Sequence, residues 1–161
     1  MARRGTTLAF FSLLILVSLA FYPLQGMKSQ STGDHHQITR PDSLTWVRSG
    51  GVQLAVLSGD PDKPGPFTIR LKIKDGYRVM PHWHPQDESV TTIQGVFLMG
   101  MGDKFAPAEL EQMPVGSYAL MPKGMHHFAS SAGETIVQVH GMGPFVTNYL
   151  NPADDPENKK Q

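Results

Sequence analysis

This sequence predicts an all-β fold: one domain built as a sandwich or barrel of about ten short strands. Its apolar runs are short and divided by turn residues, with 16 Gly and 13 Pro among 161 residues. One segment, Phe67–Lys74, alternates strictly. Phe67, Ile69, Leu71 and Ile73 share one face, while Thr68, Arg70, Lys72 and Lys74 share the other. That is the pattern of a half-buried antiparallel strand with a charged face toward solvent. The length is enough for a single domain with a real core.

Taken in order, the chain begins with a basic Ala2-Arg3-Arg4 followed by Thr7–Leu24, an apolar run without charge. Residues 1–26 therefore read as a secretory signal peptide or, if uncleaved, as an N-terminal membrane anchor. Either way the globular part is exported, to a periplasmic or extracellular location. Residues 27–43 form a polar, flexible leader in which His35 and His36 read as a solvated pair. The barrel domain spans 44–150. Leu44–Val47 and Val52–Leu57 are its first strands, and Gly59–Pro66 is a loop. Val90–Ile93 and Val96–Met101 are expected to form a hairpin across Gln94-Gly95. Pro107–Gln112 is expected to make one short helical turn. Ser117–Met121, His126–Ala129 and Thr135–His140 supply three further strands, and residues 151–161 form a charged tail expected to fray.

Charge and cysteine usage exclude several function classes. Lys plus Arg equal Asp plus Glu at 14 each. With no basic stripe to follow a phosphate backbone, nucleic acid is not a partner. The chain has no cysteine, which rules out disulfides, thiolate nucleophiles and sulfur-rich zinc sites. There is no nucleophile elbow, P-loop or dinucleotide fingerprint.

The chemistry concentrates in Gly76–Gly95. His82 and His84 are two residues apart, so an extended strand projects both imidazoles from one face. Glu88 follows within a turn, and about forty residues later His127 stands beyond Pro122-Lys123-Gly124. Imidazoles with a carboxylate suit divalent iron, manganese, nickel or zinc, while nearby methionines would suit copper. Met80, Met121 and Met125 are better read as core filler. Two buried histidines side by side without a ligand would each need a partner and would repel when charged.

These residues resemble the two sequence motifs of the cupin superfamily. The first matches Gly76, His82, His84, Glu88 and Gly95; the second matches Gly116, Pro122, Gly124 and His127, with Ser131 where that motif usually has Asn. The resemblance covers Leu54 to Tyr149. It implies a double-stranded β-helix, or jelly-roll, barrel with at most one short helix. It implies a divalent transition metal (Fe, Mn, Zn, Ni or Cu) on His82, His84, Glu88 and His127. Between the adjacent His126 and His127, alternation leaves the inward one undetermined, and the motif spacing selects His127. The resemblance also implies a small organic ligand or substrate at open metal positions. Its range of functions runs from dioxygenases and other metal-dependent enzymes to binding modules and sensors without turnover.

Several residues are candidates to complete the pocket. His140 shares a face with Gln138 and Ile136, and if that face points inward it is a candidate catalytic proton shuttle. Tyr77, Tyr118 and Trp83 are candidate lining residues, with Trp83 turned away from its flanking histidines on a regular strand. By analogy with small cupins that dimerise through sheet edges or outer faces, Trp83 is also a candidate homodimer contact.

Overall fold

A computed structural model of the chain describes residues 36–49 and 52–159. The expected export segment, residues 1–26, and His35 of the leader lie outside the described residues. Among those described, nine strands form one antiparallel sheet that curls on itself, with four short 3-10 turns and no α-helix. The strands are β1 (Val47–Ser49), β2 (Val52–Ser58), β3 (Gly65–Ile73), β4 (Val79–Trp83), β5 (Glu88–Met101), β6 (Glu111–Pro114), β7 (Tyr118–Met121), β8 (His127–Gly143) and β9 (Asn148–Tyr149). This is the all-β double-stranded β-helix that the sequence implies.

The alternation in β3 decides its faces. Phe67, Ile69 and Ile73 are buried in the core, and Leu71 packs against it. Thr68, Arg70 and Lys72, on the outer face, are half-buried rather than fully solvated. Lys72 carries its ammonium 4.4 Å from the centre of the Trp46 ring, and Arg70 Nε donates to Gln138 Oε1 at 3.3 Å. Before β1, Pro41–Ser43 make a 3-10 turn, and the Gln37 amide donates to the Leu57 carbonyl at 2.8 Å.

β5 and β8 are the backbone of the barrel. They pair along nearly their whole length, from Glu88 opposite Gly141 to Met101 opposite His127. The expected hairpin across Gln94-Gly95 does not form, because the strand continues through it without reversing. Gly95 adopts φ +74°, and the register shifts there, with Gln94 opposite Ile136 and Val96 opposite Ala132. Gly133, at φ +77°, takes up the slack on β8, so the two strands expected over His126–Ala129 and Thr135–His140 are one bent strand. A side chain at position 95 would put its Cβ 2.6 Å from the Glu134 carbonyl oxygen. The pair thus reads as a shared bulge, which bends both strands without reversing either.

Two shorter stretches also differ from expectation. The helical turn is confined to Pro107–Glu109, and Glu111–Pro114 instead pairs with Val96–Met99 of β5 as the edge strand β6. Only Met113 of β6 is buried, too little alternation to read as a strand. The charged tail folds rather than frays in its described part: Asn151 Oδ1 accepts from Ala153 N–H at 3.1 Å to cap the turn Pro152–Asp154.

Candidate metal centre

Three strand ends deliver the site. β4 carries His82 and leads into His84, β5 opens with Glu88, and β8 opens with His127. His82 pairs directly with His127 across β4 and β8, so register alone puts these two rings 4.2 Å apart, centre to centre. His84 lies 5.0 Å from His82 and 5.4 Å from His127. One nitrogen from each of the three falls within 4.8 Å of the others, a group able to hold a metal ion. Glu88 Oε2 stands 3.3 Å from His127 Nε2 and 3.6 Å from His84 Nε2. All four side chains are buried.

The turns that set this geometry are tied together. Gly124 N–H donates to the His84 carbonyl at 2.8 Å, and Lys123 N–H donates to Asp87 Oδ1 at 2.8 Å. Ser131, where the cupin motif usually has Asn, is buried and donates its hydroxyl to the Lys74 carbonyl at 2.5 Å, while its own carbonyl accepts from Gly76 N–H at 3.0 Å. A short hydroxyl therefore anchors the turn at the start of the first motif.

Each histidine faces a backbone carbonyl with its other nitrogen. His82 Nδ1 is 2.7 Å from Met80 O, His84 Nδ1 is 2.8 Å from Val146 O, and His127 Nδ1 is 2.9 Å from Met125 O. A carbonyl can only accept, so the protons are on Nδ1 and the bare lone pairs on Nε2 point inward. Such carbonyl contacts fix tautomer and ring orientation in metal-ligating histidines. His84 Nε2 is buried with no hydrogen-bond partner, a costly position for a polar atom unless a cation fills it. Glu88 Oε2 at 3.3 Å from a His127 lone pair points the same way, since two acceptors that close require a proton or a metal between them. The donor set therefore fits a divalent metal.

Electrostatics follow the geometry. Burial, then the neighbouring His127, pushes the His82 imidazole down from 6.5 to about 3. Burial also pushes His84 down. For Glu88 burial acts upward, yet its contact with His127 and the closeness of His84 and His82 outweigh it and hold the carboxyl below its usual range. Burial thus favours the neutral forms of His82 and His84, the forms in which an imidazole can ligate a metal.

Behind the group lies a cavity of about 510 Å³. Tyr77 lines it, as expected, but Tyr118 and Trp83 do not. Tyr118 is exposed on the outer face, with its hydroxyl 3.0 Å from Ser89 Oγ. His140 is also turned away. On β8 the buried, cavity-facing positions are Val137 and Val139, so Ile136, Gln138 and His140 occupy the outer face. The candidate proton shuttle cannot reach the site. His126 sits at the surface, its Nδ1 2.7 Å from Asp103 Oδ1.

The segment after β8 supplies groups that sequence reasoning missed. Phe145 stacks on His84 at 4.5 Å and 17°, Val146 accepts from His84, and β9 pairs Tyr149 with His82. Tyr149 has its ring 5.6 Å from that of His82. Burial, then Tyr77 and the aspartates 155 and 154, pushes its hydroxyl up to about 12. Tyr149 reaches the site on β9 beside β4, Phe145 and Val146 from the segment that leads into it, and no motif spacing marks them.

A jelly-roll barrel with three histidines and a glutamate converging from its two motif regions defines a cupin. More particularly, residues 34–146 match the family described as the ChrR cupin-like domain, and the chain belongs to it. A comparison with curated proteins gives no match. Among solved structures, the polyketide cyclase RemF from Streptomyces resistomycificus is similar at 15% identity and a TM-score of 0.61, covering 79% of this chain and 94% of its own. The complex of Rhodobacter sphaeroides SigE with the anti-sigma ChrR is similar at 20% identity and a TM-score of 0.50, covering 63% of this chain but only 51% of that one. Salicylate 1,2-dioxygenase (G106A) from Pseudoaminobacter salicylatoxidans, in complex with gentisate, is similar at 10% identity and a TM-score of 0.52, covering 64% and 30% respectively. At these identities the likeness is one of fold.

Proposed function

We propose that this protein is an exported metal-binding cupin that holds one divalent transition metal (iron, manganese, zinc, nickel or copper) and binds a small organic ligand beside it. His82, His84 and His127 would hold the metal through Nε2 and Glu88 through a carboxylate oxygen. The observation that carries this reading is the convergence of three Nε2 lone pairs, one of them the buried His84 Nε2 without a hydrogen-bond partner. A bound divalent metal supplies Lewis acidity, and iron, manganese or copper also supplies one-electron redox chemistry. The chain's own part is to favour neutral His82 and His84 by burial, to orient the three imidazoles through backbone carbonyls, and to surround the site with apolar side chains. If the protein turns over a substrate, metal-dependent oxidation or oxygenation of the dioxygenase type fits this donor set best. Export rests on Ala2-Arg3-Arg4 and the apolar run after it.

A second reading, a sensor or metal-handling module without turnover, is favoured by membership of the ChrR cupin-like family and by the anti-sigma protein among the similar structures. Cobalt(II) titration tests the shared core. A visible absorption band that saturates at one equivalent, and disappears in His84→Ala, is expected. No band in the folded protein would overturn both readings. Aerobic incubation with a ligand that binds then separates them, since loss of ligand supports the enzyme and intact ligand the module.

A further inference from the structure

The cavity behind the metal group points to a class of ligand. Its wall is apolar, with Leu54, Leu71, Val90, Phe97, Met99 and Val139 contributed by β2, β3, β5 and β8. Beyond the four metal-site residues, its polar side chains are the hydroxyls of Tyr77, Thr147 and Tyr149 and the carboxylates of Asp62 and Asp155. Among the described residues that line it there is no lysine or arginine. The lining residues that also reach solvent mark its opening. Asp62 and Thr147 are exposed there, and Asp155 and Pro156 are half-buried.

Charge then decides what can enter. Once a ligand's head group sits on the metal, any further phosphate or carboxylate it carries would pass Asp62 and Asp155 and find no lysine or arginine in the lining. A desolvated anion without a partner is strongly disfavoured. An apolar body meets no such penalty, because the wall replaces water at roughly 25 cal/mol per Å² of apolar surface. A volume of about 510 Å³ is in the range of cavities that enclose small organic ligands. The polar end is also defined: Tyr149, its ring 5.6 Å from that of His82, brings a neutral hydrogen-bonding side chain to the metal group. Thr147, Tyr149, Asp155 and Pro156 all lie beyond residues 34–146, the segment that matches the family. The opening is therefore shaped partly by a stretch outside the shared domain and partly by Asp62 within it.

We propose that the cavity takes organic molecules with one oxygen-bearing pole for the metal and, beyond it, an uncharged, apolar, ring-sized body, and that it excludes ligands whose body carries a further phosphate or carboxylate. The proposal rests on the metal reading above. Isothermal titration calorimetry on the zinc-loaded full chain tests it, with benzohydroxamic acid, acetohydroxamic acid and glucose 6-phosphate as probes. The two hydroxamates share a metal-binding head and differ in the ring. Benzohydroxamic acid is expected to bind roughly tenfold more tightly or better, and glucose 6-phosphate to give no binding heat. Equal affinity for the two hydroxamates, or tighter binding of the phosphate, would overturn the ligand class while leaving the metal reading standing. Failure of the folded chain to take up zinc would overturn the metal reading and this proposal with it. Asp62→Lys, at an exposed position, is expected to raise the affinity for glucose 6-phosphate. No rise would overturn the role given to the opening.

Discussion

The inner and outer faces of β8 carry the same residue type and give it different chemistry. His127, at the start of the strand, faces inward, is almost fully buried, gives its Nδ1 proton to the Met125 carbonyl and leaves Nε2 bare beside Glu88. His140, on the same strand, faces outward between Thr68 and Ser89 and touches no part of the cavity. His126, one residue from His127, pairs with the surface carboxylate of Asp103. What fits a histidine to hold a metal here is its face, its burial and a carbonyl that fixes its tautomer. The presence of a histidine in a strand near the motif is not enough.

The sharpest way to break this comparison is to remove histidines from each face. His84→Ala and His127→Ala are expected to abolish most metal content, and His126→Ala and His140→Ala to leave it unchanged, as read by elemental analysis of each purified variant. Equal losses on the two faces would dissolve the distinction. A second test addresses the bend that keeps each face of β5 and β8 where it is. Gly95→Ala places a Cβ against the Glu134 carbonyl at a left-handed backbone position, and is expected to destabilise the fold by about 1–3 kcal/mol in denaturant unfolding. An unchanged midpoint would argue against the shared bulge.

The inner face also predicts a pH response. His82 takes up a proton near 6.5 when unfolded but only near 3 when folded. Between those values the unfolded chain binds more protons, so stability of the chelator-treated protein falls as pH drops below about 6.5. Glu88, held below the usual carboxylate range in the fold, adds to the loss at lower pH. Thermal midpoints measured across this range check it, and a midpoint that is flat or rises on acidification would contradict the burial of His82. The smallest effect belongs outside: Asp103→Asn, which weakens only the surface pair with His126, is expected to change stability by about 0.5 kcal/mol or less.

Much of the fold was legible in local patterns. The alternation of Phe67–Ile73 gave the faces of β3 correctly, because a strand with one buried face has no freedom of register. The spacing of His82, His84, Glu88 and His127 located the four side chains that converge, because turns with fixed residues deliver strand ends to fixed places. What stayed hidden depends on long-range pairing. Gln94-Gly95 has the residues of a hairpin turn, and only pairing with β8 makes it a bulge. Ile136–His140 alternates as cleanly as its neighbours, yet which half faces inward is set by β3 and β5 on either side. Tyr149 joins the site through β9 pairing on β4, and Phe145 and Val146 through contacts with His84 from the segment before β9, all more than sixty residues away in sequence, contacts that no local signal announces.

The most direct test is elemental analysis of the full protein purified from its native compartment without chelator or affinity metal. Close to one divalent transition metal per chain is expected, lost in His84→Ala and retained in His140→Ala. A folded protein that arrives without metal and refuses added iron, manganese, zinc, nickel and copper would contradict the central claim.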